Sequence, residues 1–276
     1  MPHLFCFGLG FTGQALARRL RAQGWTVTGT SRAGGDGTLA FDGSAPVPAA
    51  ALDGVTHLLI SVPPGGPGDP VLNRHADDLA HRAKQFQWAG YLSTTGVYGD
   101  RHGGWVDETS PLEPSTERGH RRLAAETQWR GLGLPLHIFR LAGIYGPGRN
   151  QLVSLLDGTA KRIVKPGQIF SRIHVEDIAG VLEASITRPR PGRAYNVCDD
   201  EPCPPQEVVA YAAALLKREA PPEIAFADAG LSPMAKSFYA ESKRVSNQRI
   251  KEELGYQLLY PTYREGLTAL LPTLPS

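Results

Sequence analysis

The stretch Phe7-Gly8-Leu9-Gly10-Phe11-Thr12-Gly13 follows an apolar run, Leu4 to Phe7, and leads into a segment with Leu16 and Leu20 at helical spacing. A G-x-G-x-x-G turn between a strand and a helix gives each glycine a separate task. One permits the tight turn, one lets bare backbone approach a pyrophosphate, and one lets the helix pack closely on the strand. The helix start then aims its unpaired N–H groups and positive dipole end at the ligand's negative charge. Gly24 reads as the stop of a helix over 12–23, and Trp25 to Thr30 as the second strand. Strand, glycine turn, helix and strand in this order predict a dinucleotide site, with Gly8, Gly10, Phe11, Thr12 and Gly13 as its cofactor-binding residues.

The end of the second strand bears on which dinucleotide is held. A carboxylate there binds the adenine-ribose 2′-hydroxyl of NAD, whereas an arginine accommodates the 2′-phosphate of NADP. The chain has Ser31-Arg32, with no acid before Asp36. A guanidinium offers forked, permanently charged donors to phosphate. Ser31 and Arg32 therefore join the expected site and NADP is preferred over NAD; a merely solvated Arg32 would leave that choice open. A short third strand over 38–41 ends at Asp42, which either lies near adenine or serves an ordinary turn.

The 276 residues, 41% hydrophobic and 20% charged, suit one large α/β domain or a nucleotide domain with a smaller lobe. A formal net charge of +2 supplies no field for nucleic acid or an anionic membrane, so neither partner is expected. Cys6, Cys198 and Cys203 are odd in number and lack C-x-x-C spacing, which argues against a disulfide framework and a zinc site; no metal is expected. Met1-Pro2-His3 carries no basic leader, and no apolar run approaches the roughly 20 residues that span a bilayer. The expectation is a soluble, cytoplasmic protein acting on a small molecule, with a homodimer left open.

Further along, Val55 to Val62 reads as a fourth strand closed by Pro63-Pro64-Gly65-Gly66-Pro67-Gly68, a loop at the carboxyl end of the sheet where open α/β folds bind ligands. Val71 to Trp88 carries Leu72, Ala76, Leu79, Ala83 and Phe86 on one helical face, with His75 and His81 at its surface or edge. A fifth strand over 90–94, a helix over 117–129 and a sixth strand over 136–141 continue the alternation that argues for a parallel, doubly wound sheet. Beyond Tyr145 the pattern turns irregular, with helices over 175–185, about 206–218 and 242–254. Such late segments commonly form a small lobe that closes a cleft over the ligand.

Four later stretches extend the reading. Leu92-Ser93-Thr94-Thr95-Gly96-Val97-Tyr98-Gly99, Val106-Asp107-Glu108-Thr109-Ser110-Pro111-Leu112-Glu113-Pro114, Arg140-Leu141-Ala142-Gly143-Ile144-Tyr145-Gly146-Pro147-Gly148 and Arg172-Ile173-His174-Val175-Glu176-Asp177-Ile178-Ala179 occur in that order, followed by Tyr195-Asn196-Val197. With the glycine turn, they resemble the motifs of the extended short-chain dehydrogenase/reductase superfamily, its NAD-dependent epimerase/dehydratase group, over nearly the full chain. The resemblance implies a Rossmann-type doubly wound parallel sheet with a small irregular C-terminal substrate lobe. Residues 1–143 would be the NAD(P)-binding domain, completed by a helix near 175–187, with 144–173 and 191–276 forming the lobe. It also implies a nicotinamide cofactor and often a nucleotide-sugar substrate.

The resemblance further implies a Ser or Thr at the fifth strand's end and a Tyr-x-x-x-Lys on the next helix. There the Tyr exchanges a proton with the substrate while hydride moves to or from nicotinamide. Thr94 occupies the first position, but the Tyr and Lys positions fall on Arg118 and Arg122, and no Tyr occurs between Tyr98 and Tyr145. Arg122 retains a charged donor for a cofactor ribose. Arg118 is no proton-transfer group, because guanidinium does not deprotonate in proteins.

Three readings follow. A substitute donor, Tyr98, His120 or Asp107, carries a redox or epimerase-type reaction; Arg118 binds an anionic substrate bidentately; or the fold holds NADP without turnover, as a regulator or redox sensor. Gly143 stands where many nucleotide-sugar members have Asn, and Arg149, Asn150 and Arg172 either line an anion pocket or sit solvated at its rim.

Overall fold

The computed structural model describes residues 1–274. In chain order the strands are β1 (His3–Phe7), β2 (Thr26–Ser31), β3 (Leu39–Ala40), β4 (His57–Ile60), β5 (Trp88–Thr94), β6 (Trp105–Val106), β7 (Leu136–Leu141), β8 (Gly143–Tyr145), β9 (Arg162–Val164), β10 (Arg172–His174), β11 (Ala194–Val197), β12 (Glu223–Ala225) and β13 (Arg244–Val245). The helices are α1 (Phe11–Ala22), α2 (Pro70–His81), α3 (Glu117–Arg130), α4 (Gln151–Leu156), α5 (Val175–Thr187), α6 (Pro205–Leu215), α7 (Pro233–Tyr239), α8 (Gln248–Leu254) and α9 (Tyr263–Leu270).

Seven strands form one parallel sheet in the order β11-β7-β5-β4-β1-β2-β3, which is the doubly wound Rossmann arrangement. Because side chains alternate across a strand, the all-apolar strands feed two separate cores. Leu4, Cys6, Leu59 and Phe139 pack under α1, α5 and α8 with Leu16, Leu20, Ile178, Leu182 and Ile250. Phe5, Phe7, Leu58, Ile60 and Ile138 pack under α2 and α3 with Val71, Leu79 and Trp129. The strand order reverses at β1 and β4, and the crevice beyond their carboxyl ends is where such folds take a dinucleotide.

The expected alternation is present, with differences of cause as well as boundary. The helix expected to reach Trp88 ends at His81, and Trp88 starts β5, its indole N–H donating to Ser185 Oγ at 3.0 Å. His75 is buried rather than surface-bound, its Nε2 accepting from the Val47 backbone N–H at 3.2 Å. Residues 194–197, assigned above to the small lobe, add a seventh strand beside β7. The expected helix over 242–254 divides into β13 and α8, because Arg244 and Val245 pair with Trp105 and Val106.

The small lobe has its own core, in which Tyr145, Leu152, Val208, Ala212, Tyr263 and Leu267 meet. It is threaded by two short parallel pairs, β8 with β10 and β9 with β12. α9 begins at a capping box, Thr262 with Glu265, that fixes its entry.

Candidate active site

The glycine turn is built as its spacing requires. Gly8 has φ +88°, and a Cβ there would press on Val62 Cγ2 at 3.0 Å. Its N–H donates to Thr30 Oγ1 at 2.9 Å, while the Leu9 N–H donates to the Thr30 carbonyl at 2.7 Å, locking the turn to β2. At Gly13 a Cβ would meet the Gly8 carbonyl at 3.2 Å and Cys6 Sγ at 3.0 Å, so this glycine sets the close approach of helix and strand. Gly10 differs. A Cβ added there would meet no protein atom within 4 Å, and no side chain caps the N-terminus of α1. The turn therefore presents bare backbone and free N–H groups to open space, a concavity that fits a pyrophosphate.

The adenosine end is legible on β2 and β3. Ser31 Oγ shares a hydrogen bond with Thr38 Oγ1 at 2.8 Å, tying the two strands' ends. Arg32 follows, exposed, and no carboxylate among the described residues pairs with it. Asp42 is exposed and accepts from the Ser44 N–H and hydroxyl at 2.8 and 2.6 Å, which holds its carboxyl below the usual range. It is at least a turn-former, and it lies just beyond β3.

From the turn a cleft of about 720 Å³ runs between the sheet and the small lobe. Thr12, Thr94, Arg118, Arg122, Arg149 and Arg172 line it, so four of the arginines singled out in the sequence converge on one space. Thr94 stands at the end of β5, its hydroxyl accepting from the Gly96 N–H at 3.1 Å. Arg122 donates to the Leu92 carbonyl at 2.5 Å, which anchors the guanidinium beside β5 while leaving it other donors. Arg118 lies over the Phe238 ring at 4.5 Å, and no carboxylate among the described residues lies within ion-pair distance of it. A smaller chamber of about 290 Å³ continues past Arg149 and Arg172 to Asn150, Tyr145 and Tyr263.

The proposed substitute donors are not brought there. Tyr98 is fully buried, with its hydroxyl donating to Asn196 Oδ1 at 2.7 Å and accepting from Arg140 at 2.9 Å. Burial pushes that phenol up to about 12. Asp107 is spent on Thr109 and Ser110, and His120 is exposed on α3; neither lines the cleft. No tyrosine at all lines the larger cleft among the described residues.

What the sequence reading missed is a carboxylate and an ammonium that do line it. Glu241 and Lys243, on the segment leading into β13, pair at 2.6 Å, and both side chains are about nine-tenths buried. Ser115 donates to the other Glu241 oxygen at 2.9 Å. Burial lowers the Lys243 ammonium's pKa against the opposing pull of Glu241. Their i, i+2 spacing is a signal that both face one side of an extended segment. Only the pairing of β13 with β6 says that this side is the cleft.

No protein-family model matches the chain. A conserved protein of unknown function from Silicibacter pomeroyi is 56% identical, with TM-score 0.90 and 98% of each chain covered. The Escherichia coli protein YeeZ is 29% identical over 95% of this chain and 97% of its own length. A provisionally named NAD-dependent epimerase/dehydratase of Methylobacillus flagellatus is 28% identical at TM-score 0.73, covering 98% of this chain and 97% of its own. Fold, glycine turn and these likenesses define a nicotinamide-nucleotide-binding scaffold. The chain has the fold of the extended short-chain dehydrogenase/reductase superfamily and is similar to members of its NAD-dependent epimerase/dehydratase group.

Two more distant structures share the fold. The human epimerase family protein SDR39U1, solved with NADPH, is 21% identical at TM-score 0.77, covering 99% of this chain and all of its own. MoeE5, solved with UDP-glucose and NAD, is 19% identical at TM-score 0.78, covering 99% and 98%. Among the described residues no helix is long and apolar enough to cross a membrane, and no group of three or more His, Cys, Asp or Glu could hold a metal ion.

Proposed function

We propose that this chain binds NADP across the β1/β4 crevice and performs a redox or epimerase-type reaction on an anionic small molecule in the cleft. The observation that carries the reading is that the glycine turn, through Thr12, borders a cleft lined by Thr94, Arg118, Arg122, Arg149 and Arg172. In this reading Gly8, Gly10, Phe11, Thr12 and Gly13 hold the pyrophosphate, Ser31 and Arg32 the 2′-phosphate, and Asp42 the adenosine side. When bound, the dinucleotide supplies or accepts a hydride. Thr94 offers a hydroxyl to the substrate's reacting oxygen, and Arg122 a charged donor to a ribose hydroxyl. Arg118 binds the substrate's carboxylate or phosphate; it is exposed at the cleft, lies over the Phe238 ring and has no carboxylate partner among the described residues, so its forked donors are open to an anion.

A second reading keeps the cofactor and drops the turnover, making the chain an NADP-binding regulator or redox sensor. It is favoured by one observation, the lack of any tyrosine lining the larger cleft. Incubating the NADP- or NADPH-loaded protein with nucleotide sugars and small carbonyl acids, with product analysis as well as absorbance, separates the two. Conversion of an anionic compound that is lost in Arg118→Ala supports the enzyme, and tight NADPH binding with no conversion supports the silent binder. Three free, buried cysteines fit a cytoplasmic setting.

A further inference from the structure

The cleft holds one buried ion pair, and neither member belongs to the superfamily motifs quoted above. Lys243 Nζ is 2.6 Å from Glu241 Oε2, and Ser115 fixes Glu241 Oε1 from the loop before α3. Glu241 also lies beside Gly96, at the turn after Thr94; a Cβ on that glycine would be 3.9 Å from Glu241 Oε2. The pair thus lines the same cleft as Thr94 and as Arg118, the position on which the superfamily's proton-transferring tyrosine falls.

A buried ion pair is weak evidence for stability, since the desolvation of both charges consumes most of their attraction. An ammonium that lines a ligand cleft, held by a carboxylate at 2.6 Å, is by contrast placed to exchange a proton with a ligand oxygen, and burial favours its giving that proton up. The charged groups facing the pair are Asp100 and Arg101 from the loop after Tyr98, and Arg118 from α3. None of these is hydrogen-bonded to the Lys243 ammonium, whose partner within the described residues is Glu241.

We propose that Lys243 is the proton-transfer group of this cleft, with Glu241 as the residue that positions it, in place of the missing tyrosine. On reduction, a substrate carbonyl gains hydride at carbon from the reduced dinucleotide and a proton at oxygen from the Lys243 ammonium. The C=O π bond becomes C–H and O–H bonds, and Lys243 is left as a neutral amine; oxidation reverses both transfers. The proposal rests on the nicotinamide reading above, because it places Lys243 near the end of the dinucleotide whose charge changes in the reaction.

That charge change provides a test without a known substrate. NADP⁺ carries a positive nicotinamide ring and NADPH a neutral one. The Lys243 side-chain carbon resonances, assigned by their loss in Lys243→Arg, are titrated in protein labelled with ¹³C-lysine and saturated with each form. The Lys243 midpoint is expected about half a pKa unit or more lower with NADP⁺ than with NADPH. In Glu241→Gln it falls further in both complexes. Equal Lys243 midpoints in the two complexes overturn the assignment while leaving the cofactor reading standing. Binding of neither dinucleotide overturns the cofactor reading and this proposal with it.

Discussion

Arg140 Nη2 and Glu126 Oε2 lie 2.9 Å apart, with each side chain at least 96% buried beneath the cleft floor. Ser93 Oγ donates to the same carboxylate at 2.6 Å, and Arg140 Nη1 donates to Tyr98 Oη at 2.9 Å. Tyr98 in turn donates to Asn196, so one chain of polar contacts joins β5, α3, β7 and β11. It holds the strand end that presents Thr94 and the helix that presents Arg118 and Arg122.

Removing one partner of that pair strands a buried charge. Glu126→Leu should destabilise the protein by roughly 3 kcal/mol or more. The double replacement Glu126→Leu with Arg140→Leu should cost clearly less than the sum of the two single changes. Urea unfolding of the four proteins measures both; additive losses would show that the two groups are not coupled.

The glycines of the turn should separate fold from binding. Gly10 has φ −92° and ψ −153°, ordinary backbone for any residue, and open space at its Cβ. Gly10→Val should therefore leave the melting temperature nearly unchanged while removing NADPH binding, read by fluorescence titration. Gly8→Val, forced to φ +88° against Val62, should lower stability by about 1 kcal/mol or more.

Arg32 should decide between the two dinucleotides. Loss of charge-assisted hydrogen bonds to a phosphate costs about 1.5–3 kcal/mol, or roughly ten- to a hundredfold in affinity. Arg32→Ala should weaken NADPH by that factor and leave NADH unaltered in calorimetric titration. An unchanged NADPH affinity would remove Arg32 from the site.

Acid should unfold this protein through histidines. Burial lowers His57, His137 and His174 to about 4, so the folded state holds them neutral where the unfolded chain, near 6.5, is already protonated. The unfolded state then binds more protons between pH 6.5 and 4, and stability rises with pH across that window. It is fully present above about 6.5 and lost as pH falls toward 4, by on the order of 2–3 kcal/mol for each imidazole. His137 is the clearest case, because its Nε2 accepts from the Arg190 N–H at 2.8 Å and cannot do so once protonated. His137→Gln should flatten the slope of stability against pH in that window, whatever it does to stability at pH 8.

Most of the fold could be read from the chain because it is written in local terms. The turn at Gly8, Gly10 and Gly13, the apolar strands and the helical spacing of Leu16 and Leu20 each satisfy a short-range steric or burial demand. β7 was located to the residue for that reason. The seventh strand at 194–197 was not assigned to the sheet, since four apolar-rich residues after an irregular stretch carry no signal of their partner.

The site divides along the same line. The chain alone determined that a bare glycine turn opens a helix, and that Arg118 and Arg122 stand one turn apart on the helix after the fifth strand. These are statements about neighbours in sequence, and backbone geometry enforces them. Tertiary structure decided the rest. It buried Tyr98 in a polar chain under the sheet and left Asp107 and His120 on the surface. It also carried Glu241 and Lys243 across more than a hundred residues to the cleft. The physical reason is that a side chain's exposure and charge partners depend on which distant strand its own segment pairs with, and β13 finds β6 only in the folded molecule.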